Sequence, residues 1–206
     1  MRTFFDQIYS RCDFYYGLNA SSELVELVES NRIRTGLALD IGAGEGRNSF
    51  YVAGKGFEIM SIDLSLTGLL KAKKQAKKEG IDIEVVVADA RHIPIDKGRV
   101  TLVICATLLN HLARIDRDLV VGEIKRCLRK NGFVFVKVFT VDDPGFKKDD
   151  KSSDCAVCVV DYYEKGELLG EFADFDVEYC REKLNYTDFH GRPHCHASAA
   201  LVARKV

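Results

Sequence analysis

The feature that most constrains the fold of this chain is a glycine-rich turn between an apolar segment and a helix-like one. Residues 37–41 are strand-like, the turn contains Gly42, Gly44 and Gly46, and a helical pattern begins at Arg47. Glycine allows the backbone angles of a tight strand-to-helix turn and lets a ligand approach the backbone closely. The pattern therefore predicts a βα unit with a ligand site at its turn.

Strand-like and helix-like segments alternate after this turn, which is typical of a parallel sheet covered by helices. Apolar runs predict strands at residues 57–62, 83–88, 100–106 and 133–139, and helical spacing predicts helices at residues 47–55, 65–79 and 116–128. Ser65 supplies a capping hydroxyl for the second of these helices, and Gly80 ends it. Asp116 is predicted to cap the third.

The length of 206 residues fits one domain. We expect a helical cap at residues 1–35 with two short helices, a cofactor-binding core at 36–140 and a loop or lid at 141–173. Two further strand candidates, residues 175–184 and 195–202, flank a turn with Gly191 and Pro193. They predict an antiparallel hairpin within residues 174–206 that closes the sheet.

Charge and cysteine usage narrow the class of partner. Thirty basic and thirty-one acidic residues give a net charge of -1, which disfavours nucleic acid and favours a small soluble ligand. Seven cysteines, several within apolar runs, fit a reducing compartment, so we expect a cytoplasmic protein. Residues 100–113 are too short for the roughly 20 residues of a membrane span, and residues 1–6 do not resemble a signal peptide.

Two acidic residues extend the site predicted at the turn. Asp63 ends the second strand, where a carboxylate can accept both hydroxyls of a ribose. Asp89 ends the third strand and can accept a hydrogen bond from an adenine amino group, beside the backbone of Ala90. A nicotinamide dehydrogenase is the rival interpretation, but Arg47 occupies the sixth position of the glycine motif and Asp40 would repel a pyrophosphate.

Residues 38–65 (ALDIGAGEGRNSFYVAGKGFEIMSIDLS) resemble the first two motifs of class I S-adenosylmethionine-dependent methyltransferases. The run GEGRNS and the N-terminal FFDQIYSRCDFYYG resemble the tellurite-resistance methyltransferases, and the tail HGRPHCHASAALVARKV resembles related thiol and metalloid methyltransferases. The resemblance implies an α/β, Rossmann-like seven-stranded, mostly parallel sheet with an antiparallel last strand and helices on both faces. It also implies S-adenosylmethionine as the cofactor and a soft nucleophile, such as tellurite, selenite or a thiol, as the acceptor.

The same resemblance assigns the cofactor-binding residues. The methionine half is expected at the glycine turn, the ribose at Asp63, the adenine at Asp89 and Ala90, and the floor beneath the methyl group at the end of the fourth strand. The residues implied are Asp40, Gly42, Ala43, Gly44, Gly46, Asp63, Leu64, Asp89, Ala90, Cys105 and Ala106, with Thr107 completing the floor.

Candidate catalytic residues follow the fourth strand and the hairpin turn. His111, His194 and His196 could accept a proton from a thiol or selenol, and Arg192 could hold an oxyanion. His194 and His196 lie two residues apart, so hydrogen bonding on one face of a strand is an equally good interpretation. We expect Tyr15 and Tyr16 to contact the substrate, although aromatic residues near a terminus more often serve packing.

Several alternatives remain open from the sequence. Cys155 and Cys158 have the spacing of a metal or redox pair, but ordinary thiols are the favoured interpretation and no metal is predicted. A catalytic cysteine for a metalloid acceptor is a further possibility. The chain could methylate RNA or protein, although it lacks an Asn-Pro-Pro-Tyr motif, or it could bind the cofactor as an inactive module. We expect a monomer or a homodimer without a membrane partner.

Overall fold

The computed structural model describes residues 3–30, 32–147, 161–189 and 192–206. Its strands are β1 (Leu37–Ile41), β2 (Glu58–Asp63), β3 (Glu84–Val87), β4 (Val100–Ala106), β5 (Leu128–Phe139), β6 (Phe175–Phe189) and β7 (Arg192–Lys205). They form one seven-stranded sheet in the order β3-β2-β1-β4-β5-β7-β6. Strand β7 runs antiparallel to both β5 and β6, and the pairs among β1 to β5 are parallel. The predicted fold class is confirmed.

Helices cover both faces of this sheet. They are α1 (Phe4–Tyr9), α2 (Ser22–Glu29), α3 (Arg47–Gly54), α4 (Leu66–Glu79), α5 (Arg114–Cys127), α6 (Pro144–Lys147) and α7 (Glu167–Glu171), with a 3-10 turn at Leu109–His111. One apolar core joins the sheet to α5 and α7 through residues such as Val120, Ile124 and Leu168. The other joins it to α2, α3 and α4 through residues such as Leu24, Phe50 and Ala72.

Helix α4 begins and ends where its capping residues predict. The Ser65 hydroxyl accepts a hydrogen bond from the Gly68 amide at 3.1 Å, and Gly80 ends the helix with a φ of 70°. The cap fixes the start of α4 at Leu66, directly after the end of β2 at Asp63, so the carboxyl end of β2 lies close to the amino end of α4. This junction carries Asp63.

The predicted cap of α5 is wrong. The helix begins at Arg114, with Ala113 at the cap position and no side-chain cap hydrogen bond. Asp116 lies in the first turn instead, and its carboxylate accepts a hydrogen bond from the Arg91 guanidinium at 2.8 Å. A long-range ion pair has therefore taken the carboxylate away from the local backbone amides.

The C-terminal hairpin is confirmed, and its strands are longer than predicted. Paired positions run from Phe175 opposite Lys205 to Phe189 opposite Arg192. Residues 144–147, which we predicted as part of a polar loop, form the short helix α6. Residues 167–171 of the same predicted loop form α7, and residues 148–160, with Cys155 and Cys158, lie outside the described residues. Among the described helices, none is both long and apolar enough to cross a membrane.

Candidate functional site

A crevice of about 230 Å³ opens where β1, β2, β3 and β4 end, and the N-terminal segment covers it. In an open α/β sheet, ligands collect at this edge because the loops that follow the strands leave a gap there. The crevice is lined by the glycine turn, the residues after each strand and the aromatic N-terminal segment. These include Gly42, Ala43, Gly44, Asp63, Leu64, Asp89, Ala90, Ala106, Thr107, Leu108, His111, Phe5, Tyr9 and Tyr16.

The glycines of the turn have two different roles. Gly42 and Gly44 line the crevice with φ values of 69° and 55°, which L side chains rarely adopt. A Cβ atom on Gly42 would lie 3.0 Å from Leu108, and one on Gly44 would clash with the Tyr9 hydroxyl. Gly46 caps α3, and a Cβ there would lie 2.9 Å from the Ala72 side chain. Gly42 and Gly44 thus permit the turn and the close approach of Leu108 and Tyr9, and Gly46 allows helix packing.

Asp63 is held in the crevice by backbone amides from both sides. One carboxylate oxygen accepts from the Gly44 amide at 2.8 Å, and the other accepts from the Ser65 amide at 2.7 Å. Burial raises the pKa of this carboxyl above its ordinary value, although the backbone hydrogen bonds oppose that shift. The orientation of the side chain is therefore fixed at the crevice, beside the exposed Leu64, and its contact with a ribose stays a prediction.

The adenine end of the predicted site carries an ion pair. Asp89 accepts from the Arg91 side chain at 2.6 and 3.0 Å, and these hydrogen bonds hold the pKa of Asp89 below its ordinary value. Arg91 also binds Asp116, which fixes the loop after β3 against α5. Asp89 and Ala90 both line the crevice.

Asp40 and Cys105 lie in the sheet beneath the crevice. The Asp40 carboxylate is 2% exposed and accepts from the Ser49 hydroxyl at 2.7 Å, while Ser61 donates to Ser49 at 2.8 Å. Burial raises the pKa of Asp40 to about 7 and raises the pKa of the Cys105 thiol well above its ordinary value. Their predicted contact with the cofactor stays a prediction, whereas Ala106 does line the crevice.

His111 reaches the crevice from a turn that Asn110 fixes in place. The buried Asn110 amide donates to the Phe139 and Asp161 carbonyls at 3.0 and 2.9 Å, and its oxygen accepts from the Phe139 amide at 2.7 Å. Thr107, at the start of this turn, has a φ of 65°, which is strained for a β-branched residue. The path after β4 is thus set by β5 and by the start of the segment that follows residue 160.

Only some of the other predicted catalytic and substrate residues lie at the crevice. Tyr16 lines the crevice, and Tyr15 lies beside it with ring centroids 4.9 Å apart. His196 lies on β7, where its Nδ1 is 3.0 Å from the Asp143 carboxylate and its ring contacts Phe139. The side chains of Arg192 and His194 lie outside the described residues. The structure brings His111 and Tyr16 together at the crevice and places His196 in a strand network.

The sequence did not predict how the N-terminal segment attaches to α4 and to the glycine turn. Asp6 on α1 accepts from the Ser65 hydroxyl at 2.6 Å and from the Thr67 amide at 3.0 Å, so it binds the amino end of α4. The buried Glu45 accepts from Lys71 at 2.6 Å and from the Tyr15 amide at 2.7 Å. A lysine-rich helix face is usually solvated, so the sequence of α4 gave no local signal that Lys71 binds a buried carboxylate.

Lys71→Met is expected to lower the free energy of unfolding by about 2 to 3 kcal/mol, because it leaves the Glu45 carboxylate buried without its cation. Lys74→Met, three residues further along the same helix and exposed, is the matched control and is expected to change little. Urea denaturation measures both. Equal stability of the two variants would contradict the anchoring role of Lys71.

The geometry of the crevice fits S-adenosylmethionine. Two glycines with positive φ form the turn that borders the crevice, and Asp63 is fixed beside it at the end of β2. Together with the sheet order, these features define the class I S-adenosylmethionine-dependent methyltransferases, and the chain has their fold. Residues 38–132 match the family model described as a methyltransferase domain, and proteins of this fold family use S-adenosylmethionine as the methyl donor. The predicted class and cofactor are confirmed for this domain.

Known proteins resemble the chain to different extents. It is 31% identical over 98 residues to the ubiquinone biosynthesis O-methyltransferase of Pelagibacter ubique, a match that covers 48% of this chain and 40% of that protein. The chain spans about two fifths of the length of the curated relatives that it matches.

Two examples illustrate the likeness to solved structures. One, from work on the conversion of a disulfide bond into a thioacetal group in echinomycin biosynthesis, has a TM-score of 0.79 at 18% identity and covers 98% of this chain and 91% of that one. TehB from Haemophilus influenzae has a TM-score of 0.76 at 18% identity and covers 93% of this chain and 64% of that one. At these identities the likeness shows the fold alone.

Proposed function

We propose that the chain transfers a methyl group from S-adenosylmethionine to a small acceptor with a soft nucleophile, of which a thiol is the favoured example. The observation that carries this proposal is that His111 lines the same crevice as the glycine turn and Asp63. A proton acceptor and the predicted cofactor contacts thus border one cavity.

The bound cofactor supplies the methyl carbon and a neutral thioether as the leaving group. The chain holds the acceptor in line with that carbon, which supplies much of the rate of a displacement. The His111 ring takes the proton of a thiol or selenol as the new bond to carbon forms. The N-terminal segment covers the crevice and excludes water.

The apolar residues of the crevice favour a thiol over an oxyanion. Phe5, Leu108 and Leu112 border the space near His111, and they suit the hydrocarbon part of an organic acceptor. Tellurite or selenite is the second candidate, because Arg47 is also among the residues that line the crevice and a guanidinium can bind an oxyanion. Arg192, the predicted oxyanion ligand, belongs to the same proposal.

We also propose that the chain acts in the cytoplasm. Cys12, Cys105, Cys127, Cys180 and Cys195 are free thiols among the described residues, which supports a reducing compartment.

An acceptor screen with methyl-labelled S-adenosylmethionine tests the function and the role of His111 together. We expect label in small thiols, and a loss of about a hundredfold in rate for His111→Gln, the usual range for removal of a general base. Cofactor affinity should change little. His92→Gln, at an exposed position in the loop after β3, is the matched control.

Other outcomes would select the alternatives. Label in RNA or protein would replace the small-molecule proposal, and label only in selenite or tellurite would favour the second candidate. Tight cofactor binding without turnover of any acceptor would identify a binding module.

A further inference from the structure

Three aromatic rings from the N-terminal segment line the crevice, and we call them the aromatic roof: Phe5, Tyr9 and Tyr16. The Phe5 and Tyr9 ring centroids are 5.9 Å apart, and those of Tyr9 and Tyr16 are 6.2 Å apart. Phe5 also meets the His111 ring edge-on, at 5.0 Å. The roof therefore extends from the glycine turn to the turn after β4.

The roof is held firmly against the cofactor-binding loops. Tyr9 is 5% exposed, and it packs so closely that a Cβ on Gly44 would meet its hydroxyl and one on Gly68 would lie 2.9 Å from its ring. Asp6, which precedes Tyr9 on α1, accepts a hydrogen bond from the Ser65 hydroxyl at the start of α4. Glu45 accepts one from the backbone amide of Tyr15. The rings are thus placed before any ligand binds.

The charges around the crevice make these rings important for a cationic ligand. Glu45 is neutralised by Lys71, and Asp89 is neutralised by Arg91. Among the described residues that line the crevice, a cation near the glycine turn therefore lies close to the aromatic rings of the roof and to the Asp63 carboxylate. Aromatic rings attract cations through their quadrupole, and this attraction is stronger where water is excluded.

We propose that the aromatic roof is a cage for the sulfonium of S-adenosylmethionine, an inference that rests on the methyl-transfer function proposed above. The sulfonium joins the amino-acid end, expected at Gly44, to the ribose, expected at Asp63, so it lies beneath the roof. The demethylated product has nearly the same shape without the positive charge. The roof consequently favours the methyl donor over its product and assists product release once transfer has removed the charge.

Isothermal titration with S-adenosylmethionine, S-adenosylhomocysteine and sinefungin tests this inference by binding alone. Sinefungin carries an ammonium near the position of the sulfonium, so it serves as a second cation. The wild type is expected to bind both cations more tightly than S-adenosylhomocysteine. Phe5→Leu and Tyr16→Leu should each reduce that preference by about threefold, the effect of one partly exposed cation–π contact.

Phe4→Leu is the matched control, because Phe4 is the neighbouring, exposed aromatic residue of the same helix. Tyr9→Phe keeps the ring and should keep the preference. Parallel weakening of all three ligands in Phe5→Leu and Tyr16→Leu would overturn the cage and leave methyl transfer intact. Failure of the wild type to bind any of the three would overturn the proposed function and the cage together.

Discussion

Asp63→Ala is expected to weaken S-adenosylmethionine binding by about ten- to a hundredfold, the loss of hydrogen bonds to one charged acceptor. The carboxylate is held between the amides of Gly44 and Ser65, so the predicted contact with the ribose requires no prior rearrangement. Isothermal titration with both S-adenosylmethionine and adenosine measures the effect. Because adenosine shares only the nucleoside, a similar loss for both ligands would assign the contact to that half.

Asp82→Ala is the control for this prediction, because Asp82 is an exposed acid outside the crevice whose surface ion pair contributes little. Thermal unfolding of both variants separates a lost ligand contact from a damaged turn. Unchanged affinity of a folded Asp63→Ala variant would contradict the ribose assignment.

Gly44→Ala is expected to produce the second large effect, on stability and binding together. Its φ of 55° costs an L residue about 1 to 2 kcal/mol, and the added methyl group displaces the Tyr9 hydroxyl. Displacement of Tyr9 moves the aromatic roof, so we expect cofactor affinity to fall by at least about tenfold, the effect of 1.4 kcal/mol. Urea denaturation and isothermal titration measure the two parts.

The double variant Gly44→Ala, Tyr9→Phe removes the atom that the new methyl group meets. It should recover part of the lost affinity while the backbone strain remains. Gly54→Ala, where a Cβ has open space at the end of α3, is the matched control and should be neutral or slightly stabilising. Equal behaviour of Gly44→Ala and Gly54→Ala would show that the turn tolerates a side chain.

The elements that the sequence predicts well are those with local signals. The turn after β1 follows from glycines whose role depends on backbone angles alone, and α4 follows from the Ser65 cap and the Gly80 stop. Asp63 is predictable because strand ends in a parallel sheet meet at one edge, so a carboxylate there reaches the ligand whatever its distant neighbours are.

The features that escaped prediction depend on contacts between distant residues. Asp6 and Ser65 are 59 positions apart, and neither residue type indicates such a partner. Lys71 resembles the solvated lysines around it, and Asp116 resembles a helix cap until Arg91 is seen to bind it. For Lys71 and Asp116, tertiary contacts replaced a reasonable local role with another, whereas Asp6 keeps its capping hydrogen bond to the Thr3 amide and binds α4 in addition.

The origin of the aromatic roof affects how a protein of this kind can acquire new acceptors. Its rings come from the first sixteen residues, whereas the sheet and the glycine turn come from later parts of the chain. Substitutions in this short terminal stretch can reshape the ceiling of the crevice and leave the strand ends unchanged. A library confined to Phe5 and Tyr16, selected for retained binding of the methyl donor, is therefore a compact starting point for evolving acceptor range in the laboratory.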